Sequence, residues 1–317
     1  MSDLDVDLVV TSTLDGLRLD RALSLVSGLS RADVARLIVS GAVRVDGRVA
    51  TKASLRLDVG HHLEAEIPET SDEVAPDSTV PVDVVAESDD YLVINKRAGQ
   101  VVHPGAGHVD GTLIAGVLAR RPEVARLADA GLRDLVRPGV VHRLDKGTSG
   151  LLVVATSPEG LLSLREQLSS REMGRTYLGL VEGHVEEARG IVEAPIGRST
   201  RQPTLMAVRP DGREARTHYE VLARYDAPAT TLLRLRLDTG RTHQIRVHLS
   251  TIGHPVVNDL RYGHRRDSRL EEERFFLHSY RLEFLDPSSG QPHQFQAELP
   301  DDLHALAPSW RESVGPS

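Results

Sequence analysis

A stretch rich in proline and acidic residues, from 68 to 81, interrupts the hydrophobic pattern of the chain and constrains how it can fold. Its sequence, PETSDEVAPDSTVP, contains three prolines and has almost no periodic apolar pattern. Such a composition is typical of an extended linker, because proline cannot continue a helix or a central strand. We therefore predict two unequal domains, residues 17–67 and residues 82–305. Residues 1–16 are predicted to be an N-terminal segment, and residues 306–317 a C-terminal tail.

The composition is that of an ordinary globular protein, with 40% hydrophobic and 26% charged residues among 317. The net charge of −8 argues against a protein whose whole surface coats nucleic acid or an anionic membrane. Cysteine is absent, which excludes disulfides, thiol nucleophiles, iron–sulfur clusters and cysteine-bound zinc. The sequence shows neither a secretory signal nor an apolar run near the roughly 18 residues of a membrane span. We expect a cytoplasmic protein that does not contact a membrane.

Residues 17–52 are predicted to form two short helices followed by a β-hairpin, an ααββ module. Ser30 is predicted to cap the second helix and Gly41 to end it. Valine and arginine then alternate around Asp46-Gly47, a dipeptide typical of a two-residue hairpin turn. The module carries seven basic and three acidic residues, a net charge of +4 in an acidic protein. Its arginines form either an RNA-binding face or an ordinary solvated surface, and the candidates are Arg31, Arg36, Arg44 and Arg48.

Beyond the predicted linker, short β-rich runs dominate and do not alternate regularly with helical stretches. This order predicts an α+β fold with a mostly antiparallel sheet, since parallel sheets need a crossover between successive strands. The predicted strands are YLVINK, GLLVVAT, TYLGLVEG and TLLRLRLDTG, and the predicted helices are TLIAGVLARR and SPEGLLSLREQLSS.

The strongest chemical signal is the segment 138–157, PGVVHRLDKGTSGLLVVATS, where polar residues around Asp145 interrupt two apolar flanks. Asp145 lies between Arg143 and Lys146 and precedes a turn that leads into an apolar strand. Loops next to rigid strands commonly carry catalytic side chains. From its chemistry alone, Asp145 is a catalytic carboxylate, a turn residue or a salt-bridge partner.

The order of these residues resembles a known enzyme family. The run HRLD at 142–145, followed by TSG at 148–150, resembles the signature of the RluA family of pseudouridine synthases. The module at 17–67 is similar to the S4 RNA-binding domain, including SRADVARLI and GAVRVDGR. Together the resemblances extend over nearly the whole chain. Further segments agree with the family in the same order, namely residues 89–113, 175–183, 239–259 and 274–284.

The resemblance implies isomerisation of uridine in RNA to its C5-glycoside, with no cofactor and no metal. It gives the catalytic role to Asp145, which acts either as a nucleophile on C1′ or as a base at C2′. A carboxylate that stays ionised in a dry pocket favours a paired cation, and in the family an arginine of the third motif supplies it. Here that arginine is assigned to Arg246, with Arg241 as the alternative.

Three more residues match the family's substrate-binding positions. Arg143 matches the arginine that enters the RNA helix when the target base leaves, and Tyr177 matches the tyrosine that stacks on the flipped uracil. Leu277 matches an apolar wall of the pocket. Ordinary packing is the alternative for Tyr177 and for Leu277. Lys96 also matches a family position, whereas Asn258 stands where the family commonly has glycine.

The implied partner is a structured RNA, most specifically a stem-loop of 23S ribosomal RNA or the assembling large ribosomal subunit, and no obligate protein partner is implied. A non-catalytic RNA-binding or ribosome-assembly factor is the alternative. This alternative is weaker, because a non-catalytic relative is expected to have lost the aspartate or its partners, whereas Asp145, Tyr177 and Arg246 are all present. A metal-dependent hydrolase is disfavoured, because His243 and His248 have a spacing that points their side chains apart on a helix or a strand.

Overall fold

The chain forms two compact units, Met1–Asp72 and Glu73–Ser317, in the computed structural model. The division falls within the predicted linker, of which residues 68–73 lie outside the described part. Residues 74–81 associate with the larger unit, where the Asp77 amide donates to the Ala115 carbonyl at 2.9 Å. The structure describes residues 6–12, 14–27, 31–66, 74–105, 110–127, 137–263 and 265–314.

The smaller unit packs two helices against a four-stranded antiparallel sheet. Its elements are β1 (Val6–Val9), α1 (Leu19–Ser27), α2 (Arg31–Ser40), β2 (Val43–Val45), β3 (Arg48–Val49) and β4 (His62–Ala65). The strand order is β1-β4-β2-β3. Helix α1 buries Leu19, Ala22 and Leu23, because residues three and four apart share one helix face.

The predicted helices and hairpin are present in the smaller unit. Asp46 and Gly47 both have positive φ angles, 50° and 72°, as the predicted tight turn requires. Gly41, with φ 80°, follows the last residue of α2. The sequence pattern did not predict β1. Residues 6–9, set apart as an N-terminal segment, pair with β4 in the same sheet, and Ser30 lies outside the described residues.

The larger unit contains a nine-stranded sheet, confirming the predicted α+β class. Its strands are β5 (Val84–Glu87), β6 (Tyr91–Lys96), β7 (Ser149–Ala155), β8 (Gly174–Glu182), β9 (Arg189–Glu193), β12 (Arg216–Asp226), β13 (Ala229–Leu237), β14 (Leu277–Leu285) and β15 (Pro292–Gln296). A separate pair consists of β10 (Ile196–Arg198) and β11 (Met206–Val208). The order is β5-β6-β7-β14-β8-β13-β12-β9, with β15 beside β14, and in the described part the pairing is antiparallel except between β7 and β14.

Strand β7 is an interior strand of this sheet and is buried along its whole length. Its continuous apolar run suits a strand covered on both faces. Gly150, with φ 105°, allows β7 to approach β14, since a Cβ there would lie 2.2 Å from the Ser279 carbonyl oxygen. The glycine of the TSG run therefore serves the pairing that positions the loop before β7.

Short helices pack around the sheet. They are α3 (Leu113–Arg120), the 3₁₀ helix Pro122–Leu127, α4 (Pro158–Ser169), α5 (Gln244–Thr251), α6 (Asp301–His304) and α7 (Trp310–Val314). Ser157 caps α4 by accepting a hydrogen bond from the Gly160 amide. In the segment predicted to be a tail, Trp310 is buried and packs edge-on against Tyr280, with ring centroids 5.8 Å apart. Within the described residues, no helix is long and apolar enough to cross a membrane.

Candidate active site

A cavity of about 670 Å³ opens in the larger unit. Its walls come from the loop before β7, the end of α4, the start of β8, the segment from β13 into α5, and the start of β14. Five residues given catalytic or substrate-binding roles by the family resemblance line this one cavity, although they are distant along the chain. They are Arg143, Asp145, Tyr177, Arg246 and Leu277.

Asp145 and Arg246 form an ion pair in the cavity wall. Arg246 Nη1 donates to Asp145 Oδ2 at 3.0 Å, and the two side chains are 4% and 17% exposed. Arg241, the alternative partner, donates its Nε to the Glu214 carbonyl instead. The structure therefore places Arg246, not Arg241, against the carboxylate.

Arg246 is itself fixed on its other sides. Its Nε and Nη2 donate to the two carboxylate oxygens of Asp259, at 2.6 and 2.9 Å. Its guanidinium contacts the rings of Phe275 and Tyr262, with its central carbon 4.2 and 4.9 Å from their centroids. Burial alone would lower the pKa of Arg246. Asp259 and Asp145 outweigh this effect through their hydrogen bonds and negative charges, so the pKa lies above its usual value. Arg246 is thus a permanent, immobile cation.

A buried lysine fastens the Asp145 loop to the end of β6. Lys96 Nζ donates to the carbonyls of Arg97 and Gln100, both at 2.8 Å, and to that of Lys146 at 3.3 Å. Burial lowers the pKa of Lys96 to about 7, and the charge of Asp145 opposes this effect. Lys96 therefore links two loops through backbone carbonyls.

A buried arginine fixes the turn that follows Asp145. Arg274 Nη1 donates to the Gly147 carbonyl at 2.8 Å, and Nη2 donates to Ser149 Oγ at 3.0 Å. Gly147 has no space for a side chain, since a Cβ would lie 2.2 Å from the Glu273 carbonyl oxygen. These contacts restrict the loop to the conformation that places Asp145 in the cavity.

Tyr177 and Leu277 form an apolar part of the cavity. They lie on the paired strands β8 and β14 and are 5% and 3% exposed. Burial raises the pKa of the Tyr177 phenol, so this side chain stays protonated near neutral pH. A flat ring beside an aliphatic wall is suited to the face of a nucleobase.

The cavity carries a strong excess of positive charge. Seven arginines line it, together with the two acids Asp145 and Asp238. One of them, Arg143, has its Nη1 3.4 Å from His103 Nε2, and burial lowers the pKa of His103 to about 4, so that this imidazole is neutral. Concentrated positive charge attracts a polyanion. The seven are Arg137, Arg143, Arg165, Arg171, Arg175, Arg241 and Arg246.

The arginines singled out in the smaller unit lie on its hairpin and its second helix. Arg44 and Arg48 are exposed on β2 and β3. Arg31 and Arg36 belong to α2, and their side chains lie outside the described part.

The two histidines considered as metal ligands have separate environments. His248 is buried, with Nδ1 2.9 Å from Thr217 Oγ1 and Nε2 2.9 Å from the Ala194 carbonyl. His243 lies instead beside Asp145, with Nε2 4.0 Å from Oδ1. Among the described residues, no cluster of three histidine or acidic side chains could hold a metal ion.

Sequence reasoning did not identify the residues around Arg246. Asp259, Tyr262 and Phe275 follow it by 13 to 29 positions and have no regular spacing. One signal was available: an arginine buried beside a carboxylate needs further partners for its remaining donors. Asn258, which departs from the family's glycine, has φ 63°, a left-handed conformation that asparagine tolerates better than most residues.

Comparison with known proteins identifies the family of the chain. Residues 90–251 match the family model described as RNA pseudouridylate synthase, and residues 17–63 match the S4 domain. The chain therefore belongs to the RNA pseudouridylate synthase family and is an enzyme that isomerises uridine in RNA.

Individual relatives cover most of the chain. An uncharacterized RNA pseudouridine synthase of Chloroflexus aurantiacus is 45% identical over 94% of this chain and 92% of that protein. Ribosomal large subunit pseudouridine synthase D of Nitrosomonas europaea is 40% identical over 95% of this chain and 86% of that protein. The solved structure of human RNA pseudouridylate synthase domain containing 1 is 29% identical, with a TM-score of 0.55 over 73% of this chain and 88% of the human one. The resemblance drawn from the motifs is confirmed.

Proposed function

We propose that this enzyme modifies a stem-loop of large-subunit (23S) ribosomal RNA, free or in the assembling subunit, and that Asp145 performs the reaction. The observation that carries the proposal is the Asp145–Arg246 pair inside an arginine-lined cavity. The names of relatives that align over both units support the choice of RNA. A ribosomal RNA substrate would place the enzyme in the cytoplasm.

The two oxygens of Asp145 have different surroundings. Oδ2 accepts the hydrogen bond from Arg246, whereas among the described residues no side chain or amide donates to Oδ1 within hydrogen-bond distance. Oδ1 is therefore the oxygen available to the ribose. Both attack on C1′ and removal of a proton from C2′ need a carboxylate oxygen with a free lone pair, and Oδ1 provides it.

The reaction is an isomerisation and consumes no second substrate. The N1–C1′ bond breaks, the uracil turns, and a C5–C1′ bond forms. The proton then lost from C5 is balanced by one gained at N1. The cavity must therefore hold a detached uracil beside the ribose while that base turns, and the ring of Tyr177 and the side chain of Leu277 supply flat and apolar walls for it.

Access to the cavity requires the uridine to leave its stack. Extrusion costs a few kcal/mol, and a side chain that fills the vacated space offsets part of that cost. Arg143 is assigned this role, since it lies two residues before Asp145 and lines the same cavity. The arginines of the smaller unit, Arg31, Arg36, Arg44 and Arg48, are assigned to RNA phosphates.

The RNA substrate can be tested by competition between RNA classes. Purified protein, without metal or nucleotide, is incubated with unmodified 23S, 16S and transfer RNA, and pseudouridine is mapped by carbodiimide-dependent reverse-transcription stops. We expect new stops in a stem-loop of the 23S RNA. Stops confined to transfer RNA or 16S RNA would contradict the proposed substrate while leaving the reaction intact.

A further inference from the structure

His243 occupies an unusual position beside the catalytic carboxylate. Its backbone has φ 55°, a left-handed conformation that is strained for a residue other than glycine. Its Nε2 lies 4.0 Å from Asp145 Oδ1, and its Nδ1 lies 2.6 Å from Tyr262 Oη. The strained backbone thus places an imidazole between the oxygen that Arg246 leaves open and a tyrosine hydroxyl.

The neighbours of this imidazole determine which nitrogen carries the proton. The Met206 amide can only donate, and it donates to Tyr262 Oη at 3.0 Å. The Asp145 carboxylate can only accept. The arrangement that suits every group has the Tyr262 hydroxyl donating to His243 Nδ1, with the proton of the imidazole on Nε2. The opposite tautomer would turn the Nε2 lone pair towards a carboxylate.

The ionisation of the two side chains agrees with this arrangement. Burial lowers the pKa of His243, although the charge of Asp145 opposes the effect, so the imidazole is neutral near pH 7. Burial raises the pKa of Tyr262, so its hydroxyl keeps the hydrogen that it donates. The nearby Arg246, Arg261 and Asp259 also act on His243, and of these the two arginines favour its neutral form.

We propose that His243 is a positioning residue for Asp145, and that Tyr262 fixes it as the Nε2–H tautomer. The inference rests on the proposed role of Asp145. Arg246 binds Oδ2, and the Nε2–H of His243 faces Oδ1 across a gap about 1 Å longer than a hydrogen bond. At 4.0 Å this N–H makes no hydrogen bond, so its dipole attracts the carboxylate while Oδ1 stays free to react with the ribose.

The tautomer can be read without any activity measurement. In the full-length protein labelled with ¹⁵N-histidine, a two-bond ¹H–¹⁵N spectrum distinguishes Nε2–H from Nδ1–H imidazoles, and His243→Gln identifies the signal. We expect His243 to be a neutral Nε2–H tautomer in the wild type and a mixture of tautomers in Tyr262→Phe. An Nδ1–H or a charged His243 at pH 7.5 would overturn the inference, even in an active enzyme.

A double-mutant cycle tests whether Tyr262 acts through His243. Tyr262→Phe should slow the single-turnover rate about tenfold, the effect of one hydrogen bond, without changing the dissociation constant for RNA. His243→Ala should slow it at least as much, and the double variant should be no slower than His243→Ala alone. If the rate reductions of the two single variants multiply in the double variant, Tyr262 acts independently of His243, and the inference is overturned.

A matched tyrosine controls for the loss of a hydroxyl elsewhere. Tyr225 Oη lies 3.0 Å from Ser309 Oγ, and Tyr225 is not among the residues that line the cavity. Tyr225→Phe should leave the single-turnover rate unchanged. If Tyr225→Phe slows the reaction as much as Tyr262→Phe, the effect of Tyr262 is general and the inference fails.

Discussion

Asp259 binds Arg246 at two points and leaves one guanidinium nitrogen, Nη1, for Asp145. The two carboxylates therefore have different roles around one cation. Asp259 is 1% exposed and fixes the plane of the guanidinium, whereas Asp145 is 17% exposed on its side chain and faces the cavity. A cation fixed in this way holds Asp145 in place without reorganising when the RNA binds.

Asp259→Asn should weaken both stability and catalysis, because it removes one charge from a buried pair. Breaking such a pair costs about 3–5 kcal/mol, and a displaced Arg246 should slow turnover by about 100-fold. Urea unfolding followed by the fluorescence of Trp310, the single tryptophan of the chain, measures the first effect. The control is Asp211→Asn in an exposed pair with Arg209, worth about 0–1 kcal/mol. An equal loss of unfolding free energy in Asp259→Asn and Asp211→Asn would contradict this account.

Gly147→Ala should reduce activity more than the addition of one methyl group usually does. The added methyl group would meet the Glu273 carbonyl and the Phe275 ring, which packs on Arg246. We expect at least a tenfold lower single-turnover rate, with RNA affinity within a factor of two or three. Gly105→Ala is the matched control, since a Cβ there meets no atom of the described residues within 4 Å. An active Gly147→Ala enzyme would show that the loop is less constrained than its contacts indicate.

The stability of the larger unit should fall with acid partly because of His278. Burial lowers the pKa of His278 to about 4, and its Nε2 donates to the Ala297 carbonyl. Below its ordinary pKa of about 6.5, the unfolded chain binds a proton that the folded chain excludes, so stability decreases from pH 6.5 towards pH 4.

For His278 this loss amounts to about 2 kcal/mol between pH 7 and pH 5. The decrease in unfolding free energy over that range should therefore be about 2 kcal/mol smaller in His278→Gln than in the wild type. Urea titrations at the two pH values, with Trp310 as the probe, measure the difference. An identical decrease in both proteins would show that His278 is not kept neutral by the fold.

The charge of the hairpin in the smaller unit should appear in the salt dependence of RNA binding. Replacing Arg44 and Arg48 by glutamine should lower the slope of log K against log salt by about 1.5, roughly 0.7–0.9 for each phosphate that an arginine no longer neutralises. The matched control replaces Arg189 and Arg311, exposed arginines in ion pairs with Glu220 and Glu298. The same change in slope for the two double substitutions would mean that the salt dependence reflects only the net charge of the protein.

The sequence predicted elements whose signals are local. The apolar run of β7 and the Asp46-Gly47 turn depend on neighbouring residues and the structure contains both. Strand β1 has only four residues, and its partner β4 begins 53 positions after β1 ends, so no local pattern could reveal the pairing. The burial of Trp310 likewise depends on Tyr280, a distant residue on β14.

In the site, too, the sequence predicted only what local patterns encode. Asp145 stood out because its polar loop interrupts two apolar runs, but its chemistry alone left three alternatives, and its role and that of Arg246 came from family resemblance. Asp259 and Tyr262 emerged only from the structure, because their contacts with Arg246 depend on how α5 and the following loop fold back on each other. Residues that position a catalytic group have no fixed spacing from it.

The most direct test of the account compares Asp145→Asn with the wild type on the same RNA. The substitution keeps the shape of the side chain and removes the charge that the proposed reaction at the ribose requires. Pseudouridine formation is measured by carbodiimide-dependent reverse-transcription stops on unmodified 23S RNA, and RNA affinity is measured by filter binding. We predict no detectable stops with Asp145→Asn and an affinity within a factor of two or three of the wild type. Full pseudouridine formation by Asp145→Asn would contradict the central claim.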